Sequence, residues 1–187
     1  MNIGKTLYLT DKKGFRKWLK QNHKTEKEIW LIFYRKDSGK PRLPYVDAVE
    51  EALCFGWIDS IVKKIDDEKF AQRFSPRKKN SVLSGLNKER IKRLIKQKKM
   101  TAAGLKAISH AFNNSHLNEE FSVPADILKE LKAGKSIWKN FQAFPESYKR
   151  IRIGWISSAR SRPDIFKTRL NYFLKMTEKN KMYGMVK

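Results

Sequence analysis

Six consecutive aliphatic or aromatic residues, Ile29-Trp30-Leu31-Ile32-Phe33-Tyr34, constrain the fold of this 187-residue chain more than any other stretch. The run is too short and too rich in β-prone side chains for a helix. Its lack of alternation predicts a strand buried on both faces. Such a strand needs elements around it, and the flanking sequence supplies them. Leu7-Tyr8-Leu9-Thr10 reads as a short strand ending at Asp11, a good helix N-cap. Phe15, Trp18 and Leu19 then fall at i, i+3 and i+4, the apolar face of a helix ending near Asn22-His23. Asp37-Ser38-Gly39-Lys40-Pro41 is a turn cluster, and Pro44 opens a helix carrying Tyr45, Val49 and Leu53 that Gly56 ends. From Trp57 the period shortens. Trp57-Ile58 and Ile61-Val62 form an outgoing strand and Phe70 to Phe74 its return, with Asp66-Asp67 at the turn. That turn sets Asp59 opposite Phe74 and Trp57 opposite Pro76.

Beyond Pro76 every segment reads as helical. Asn87 is a candidate cap for a helix with Ile91, Leu94 and Ile95 on one face, and Thr101 for one with Leu105, Ile108 and Phe112. Asn113 to Phe121 is a polar linker. Ser122 and Pro124 open a helix through Ile127, Leu128 and Leu131 that Gly134 closes. Pro145 opens another through Tyr148, Ile151, Trp155 and Ala159, and Asp164 the last, with Phe166, Leu170, Phe173 and Leu174. The expected fold is α+β: a small, mainly antiparallel sheet with packed helices and a helical C-terminal lobe. By composition it divides into an α/β half over 1–77 and a basic helical half over 78–187, expected to pack as one compact unit.

Charge sets the functional expectations. With 42 Lys+Arg against 19 Asp+Glu the net charge is +23, a field that attracts nucleic acid, phosphates or anionic surfaces. From Arg77 to Lys106 eleven cations face a single acid, Glu89, and from Lys149 to Arg169 seven face Asp164 alone. Solvated helix faces usually mix signs, so these stretches point to anion binding, without naming a polymer or a sequence. The single cysteine, Cys54, cannot form an internal disulfide and reads as a buried, inert thiol. No apolar run approaches the ~20 residues of a membrane helix. The start, with Lys5 before Leu7 to Leu9, lacks the ~7–15 apolar residues of a secretory signal, so a cytoplasmic protein is expected. Three histidines, His23, His110 and His116, cannot build a zinc cluster, and no phosphate-binding glycine loop is present. No metal or cofactor is expected.

Two stretches carry candidate chemistry. In Leu53-Cys54-Phe55-Gly56-Trp57-Ile58-Asp59-Ser60 the plain reading is a glycine helix stop, a core Trp57 and an Asp59 paired with an arginine. The functional reading makes Trp57 a pocket wall and Asp59 a polar contact or acid/base. Arg73-Phe74-Ser75-Pro76-Arg77-Lys78-Lys79-Asn80-Ser81 packs four cations, two hydroxyls and an amide into nine residues, suited to phosphate or carboxylate. The plain reading there is a solvated basic loop. Combined, the hairpin is expected to gather Trp57, Asp59, Arg73, Ser75 and Arg77 into one patch for a planar anionic ligand.

The motifs Tyr34-Arg35-Lys36-Asp37-Ser38-Gly39, Glu50-Glu51-Ala52-Leu53-Cys54-Phe55-Gly56-Trp57-Ile58-Asp59-Ser60 and Phe74-Ser75-Pro76-Arg77-Lys78 carry a resemblance. With Tyr45, Ser81, Ser84, Asn87, Met100, Gly104, Tyr148 and Trp155-Ile156, they resemble the YdeI/OmpD-associated (OmdA-like, bacteriocin-protection) family. The chain departs from that pattern at Leu83, where the family usually has Trp. It departs again around Ala159 to Arg169, where Pro163 interrupts an Ala-Lys-x-x-x-Thr-Arg stretch. The resemblance implies a link to protection against bacteriocins and cationic antimicrobial peptides and no established reaction. The residues assigned to ligand binding are Lys36, Trp57, Asp59, Arg73, Ser75, Arg77, Lys78, Ser81 and Asn87. The leading expectation is a non-enzymatic binder of anionic partners, nucleic acid or a phosphorylated ligand. The alternatives are an enzyme on an anionic small molecule with Asp59 as acid/base, and a protein-interaction module with a solubilising charged surface.

Overall fold

The computed structural model describes residues 2–112 and 120–184. The expected linker from Asn113 to Phe121 lies mostly outside these, as does His116. A four-stranded sheet has the order β1-β2-β4-β3, formed by β1 (Thr6–Tyr8), β2 (Ile29–Tyr34), β3 (Trp57–Lys64) and β4 (Lys69–Pro76). β1 runs parallel to β2, and β2–β4 and β4–β3 are antiparallel, so the sheet is mainly antiparallel. Helix α1 (Lys12–Asn22) makes the crossover between β1 and β2, capped by Asp11, whose carboxylate accepts the Gly14 N–H at 2.9 Å. Helix α2 (Tyr45–Cys54) follows the 3-10 turn Lys36–Ser38.

The apolar run is β2, with Ile29, Leu31 and Phe33 buried on one face and Trp30 on the other. The first face meets Phe15 and Leu19 of α1, Val49, Ala52 and Leu53 of α2, and Trp57 and Phe74 from the hairpin. Helices α3 (Gly85–Lys96) and α4 (Ala102–Ile108) complete this core with Ile91, Leu94 and Ile108.

Two compact units result: Met1–Leu83 with Arg90–Asn113, and Ser84–Glu89 with Asn114–Lys187. Their division does not follow the change from strands to helices at Arg77. The apolar faces of α3 and α4 fill the sheet's core, so these helices pack with the strands. Ser84, not Asn87, caps α3: its hydroxyl accepts the Asn87 N–H at 3.2 Å. The second unit contains α5 (Ala125–Ala133), α6 (Lys135–Ala143), α7 (Glu146–Ser157) and α8 (Pro163–Glu178). They close over Ile127, Leu131, Phe141, Tyr148, Ile156 and Phe173. The sequence reading assigns no helix at α6. Among the described residues, no helix is long and apolar enough to cross a membrane.

Candidate functional site

The hairpin has the predicted register, Trp57 opposite Pro76 and Asp59 opposite Phe74, with a bulge between Asp59 and Val62. Directly paired residues share a face of the sheet. Asp59 and Trp57 therefore lie on the side of Phe74, toward the core, and Arg73 and Ser75 on the other. The expected patch is divided between the two faces. Trp57 is buried, and its indole N–H donates to the His23 carbonyl at 3.3 Å, so it lines the core rather than an open pocket. On the far face Arg73 donates to Glu28 at 2.7 Å and to Ser60 and Ser75 at 3.3 and 3.5 Å. The Trp30 indole also donates to Glu28, at 3.0 Å. Trp30 and Arg73 together hold the Glu28 carboxyl below its ordinary range.

On the core side Asp59 accepts the Tyr45 hydroxyl at 2.5 Å. Burial and this carboxylate push the Tyr45 phenol well above its usual value. Arg77, 8% exposed, donates to Ser81 at 2.9 Å and to the Val82 carbonyl at 3.2 Å, fixing the loop that leaves β4. Burial lowers the Arg77 pKa while Asp59 opposes that shift. Asp59, Arg77 and Ser81 are thus brought together with Tyr45. Lys36 and Lys78 are exposed on separate turns, and Asn87 belongs to the second unit.

A different surface gathers the unpaired charge. Lys12, Lys13, Arg16, Lys17 and Lys20 recur at i, i+1, i+4, i+5 and i+8, a stripe along α1 in which Lys13, Lys17 and Lys20 turn away from Phe15 and Leu19. Two adjoining hollows of about 460 and 260 Å³ follow this stripe and share Lys13 and Arg16. The larger is completed by Phe55 and Thr101, the smaller by Glu51, Lys98 and Lys99. Lys98 and Lys99 are presented by the end of α3. Lys98 is left-handed (φ 56°), its N–H reaches Ile95 O, and the Lys99 N–H reaches Leu94 O, both at 2.9 Å. That turn aims the Lys99 carbonyl at Arg16, which donates to it at 2.9 Å and to Glu51 at 2.7 Å, with its guanidinium 5.4 Å from the centre of the Phe55 ring. Glu51 is the one acid lining the hollows, and Arg16 already engages it. Among the described residues the remaining lysines have no such partner across the groove, so a solvated anion gains charge contacts there without displacing an internal ion pair.

Beneath the groove burial pushes the Cys54 thiol up to about 11. We expect no reaction of native protein with an aromatic disulfide reagent at pH 8, and one thiol per chain after denaturation. Rapid native labelling, read by thiolate absorbance, would contradict the burial.

The family model described as "Domain of unknown function (DUF8412)" matches residues 7–107, more than half of the chain and all the groove-lining residues. The model described as "Bacteriocin-protection, YdeI or OmpD-Associated" matches residues 120–180, which lie in the second unit. Neither a curated protein nor a solved structure matches the chain. The chain therefore belongs to that family of unknown function over its sheet unit, and carries the YdeI/OmpD-associated domain in its helical one.

Proposed function

We propose that the protein is a non-enzymatic binder of phosphate-bearing anions in the cytoplasm, and that the α1 groove is its contact surface. The observation that carries this reading is the lining: seven cations, Lys12, Lys13, Arg16, Lys17, Lys20, Lys98 and Lys99, around Glu51 alone. Lysines four residues apart on a helix are about 6 Å apart along its axis. That pitch suits successive phosphates of a strand better than one compact ligand. The engagement of Asp59 by Tyr45 favours binding over acid/base chemistry at the hairpin. Bacteriocin protection, named in the second domain's description, would then act by shielding anionic cell components, since a +23 protein repels a cationic peptide.

The test is a salt titration of binding to a single-stranded oligonucleotide. Affinity should fall linearly in log[salt] with a slope of about −0.7 per phosphate contact, near −3 for four or five contacts. No binding at low salt, or a flat response, removes the proposal.

A further inference from the structure

A second cluster lies wholly in the helical unit and shares no residue with the α1 groove. Arg152 of α7 is 8% exposed, and its Nε has no hydrogen-bond partner. Its guanidinium lies 4.4 Å from the centre of the Tyr183 ring, 5.5 Å from Tyr148 and 5.9 Å from Trp155. From α8, the Arg169 guanidinium sits 4.4 Å from the Trp155 ring, held by donation to the Trp155 carbonyl at 2.6 Å and the Ser158 hydroxyl at 3.2 Å. Tyr172 and Tyr183 meet edge to face at 4.8 Å.

The charge balance separates this cluster from its neighbours. Arg150 pairs with Glu89 and Glu146, and Arg160 with Asp126. Arg152 and Arg169 have no carboxylate partner among the described residues. A nearly buried guanidinium without a counter-ion is expensive, and ring faces repay only part of that cost. An arriving anion would supply the rest. The rings are also presented outward as one group, with Tyr172 46% and Trp155 36% exposed and both meeting the Tyr183 ring, at 4.8 and 6.5 Å. Guanidiniums that accept a phosphate beside exposed aromatic rings are the combination that holds unstacked bases.

We infer that Arg152, Trp155, Arg169 and Tyr172 form a platform for single-stranded nucleic acid, the two arginines meeting phosphate and the rings meeting bases. Duplexes hide their base faces and engage it poorly. The site adds base contact to the phosphate contact proposed for α1, and it stands or falls on separate residues.

The experiment compares oligothymidylate with an abasic strand of equal length, using the full chain. Wild type should bind the base-bearing strand about tenfold or more tightly, and Tyr172→Ala should abolish that margin. Quenching by oligothymidylate should shrink in Trp155→Phe, which keeps an apolar ring in place. Lysine reversals on α1 should instead weaken both strands alike, which separates failure of the groove from failure of the platform. Equal affinity for the two strands, an unaltered margin in Tyr172→Ala, or tighter binding of a polyglutamate of matched charge would overturn the platform.

Discussion

Reversing two charges on α1, Lys13→Glu with Lys17→Glu, should lower affinity for a single-stranded oligonucleotide by about a hundredfold at low salt. Each lysine that meets a phosphate is worth about tenfold, or ~1.4 kcal/mol, and a glutamate in its place adds repulsion. The salt slope should fall in magnitude by about 1.4, the share of two contacts to a single strand. Both side chains are exposed and form no ion pair among the described residues, so the melting temperature should hardly change. Net charge alone could mimic the loss, and a second pair controls for it. Lys129→Glu with Lys139→Glu alters exposed residues of α5 and α6 and lowers the total charge equally. If that pair weakens binding as much as the α1 pair, attraction is diffuse and the groove is not its seat.

The distribution of acids gives this prediction its physical basis. Glu28, Glu50, Glu51, Asp126 and Glu146 are engaged with arginines. These five carboxylates compensate guanidiniums that brace the fold. Glu26, Glu68, Asp67 and Asp66 pair with Lys5, Lys40, Lys64 and Lys69, none of them on α1, so the excess charge falls on other surface lysines. Lysine's compact, hydrated ammonium on a flexible stem suits a backbone of phosphates, whereas arginine's planar fork suits fixed geometry. In this chain the two are distributed accordingly: Arg16 and Arg77 hold backbone carbonyls, and the α1 stripe is otherwise lysine.

How far the sequence reveals this arrangement depends on the range of the interaction. Ile29 to Tyr34 is legible because a fully apolar run has few places to go, and it is β2 from end to end. The hairpin is legible because Asp66 fixes its turn, its carboxylate accepting the Glu68 and Lys69 N–H groups at 2.9 Å. Alternation applied to that register already places Asp59 with Phe74 and against Arg73, so one patch holding both arginines and Asp59 conflicts with the pairing that motivates it. The lysine stripe of α1 is also visible as i, i+4, i+8 spacing, but attention to the apolar face passes over it. The groove itself is not visible. Lys98, Lys99 and Phe55 reach α1 through tertiary packing, and no spacing along the chain encodes that meeting. Helix α6 escapes notice for a local reason, since Gly134 both ends α5 and caps α6.

The largest stability loss should come from adding one methyl group, Gly104→Ala, where α4 meets the end of α2. The Cys54 carbonyl accepts both the Thr101 N–H, at 3.0 Å, and the Thr101 hydroxyl, at 2.7 Å. That hydroxyl in turn caps α4 by accepting the Gly104 N–H at 3.2 Å. A Cβ on Gly104 would overlap the Cys54 carbonyl oxygen and lie 2.7 Å from its carbon and 3.1 Å from the Leu53 oxygen. These are backbone atoms and cannot rotate aside. The opposing wall is equally close, for a Cβ on Gly56 (φ 76°) would lie 2.6 Å from the Ala107 Cβ. Helix propensity favours alanine by about 1 kcal/mol, but overpacking against fixed atoms costs about 3 kcal/mol or more, so the clash wins. The melting temperature should fall by roughly 5–10 °C. The loss should reach the groove as well, because Phe55 and Thr101 line its larger hollow on either side of this contact. Gly154→Ala provides the contrast: nothing lies within 4 Å of a Cβ there, and the site is exposed in the middle of α7. That substitution should raise stability by about 0.5–1 kcal/mol. A rise in melting temperature for Gly104→Ala as well would mean that propensity governs both helices and that α4 does not rest on the Cys54 carbonyl.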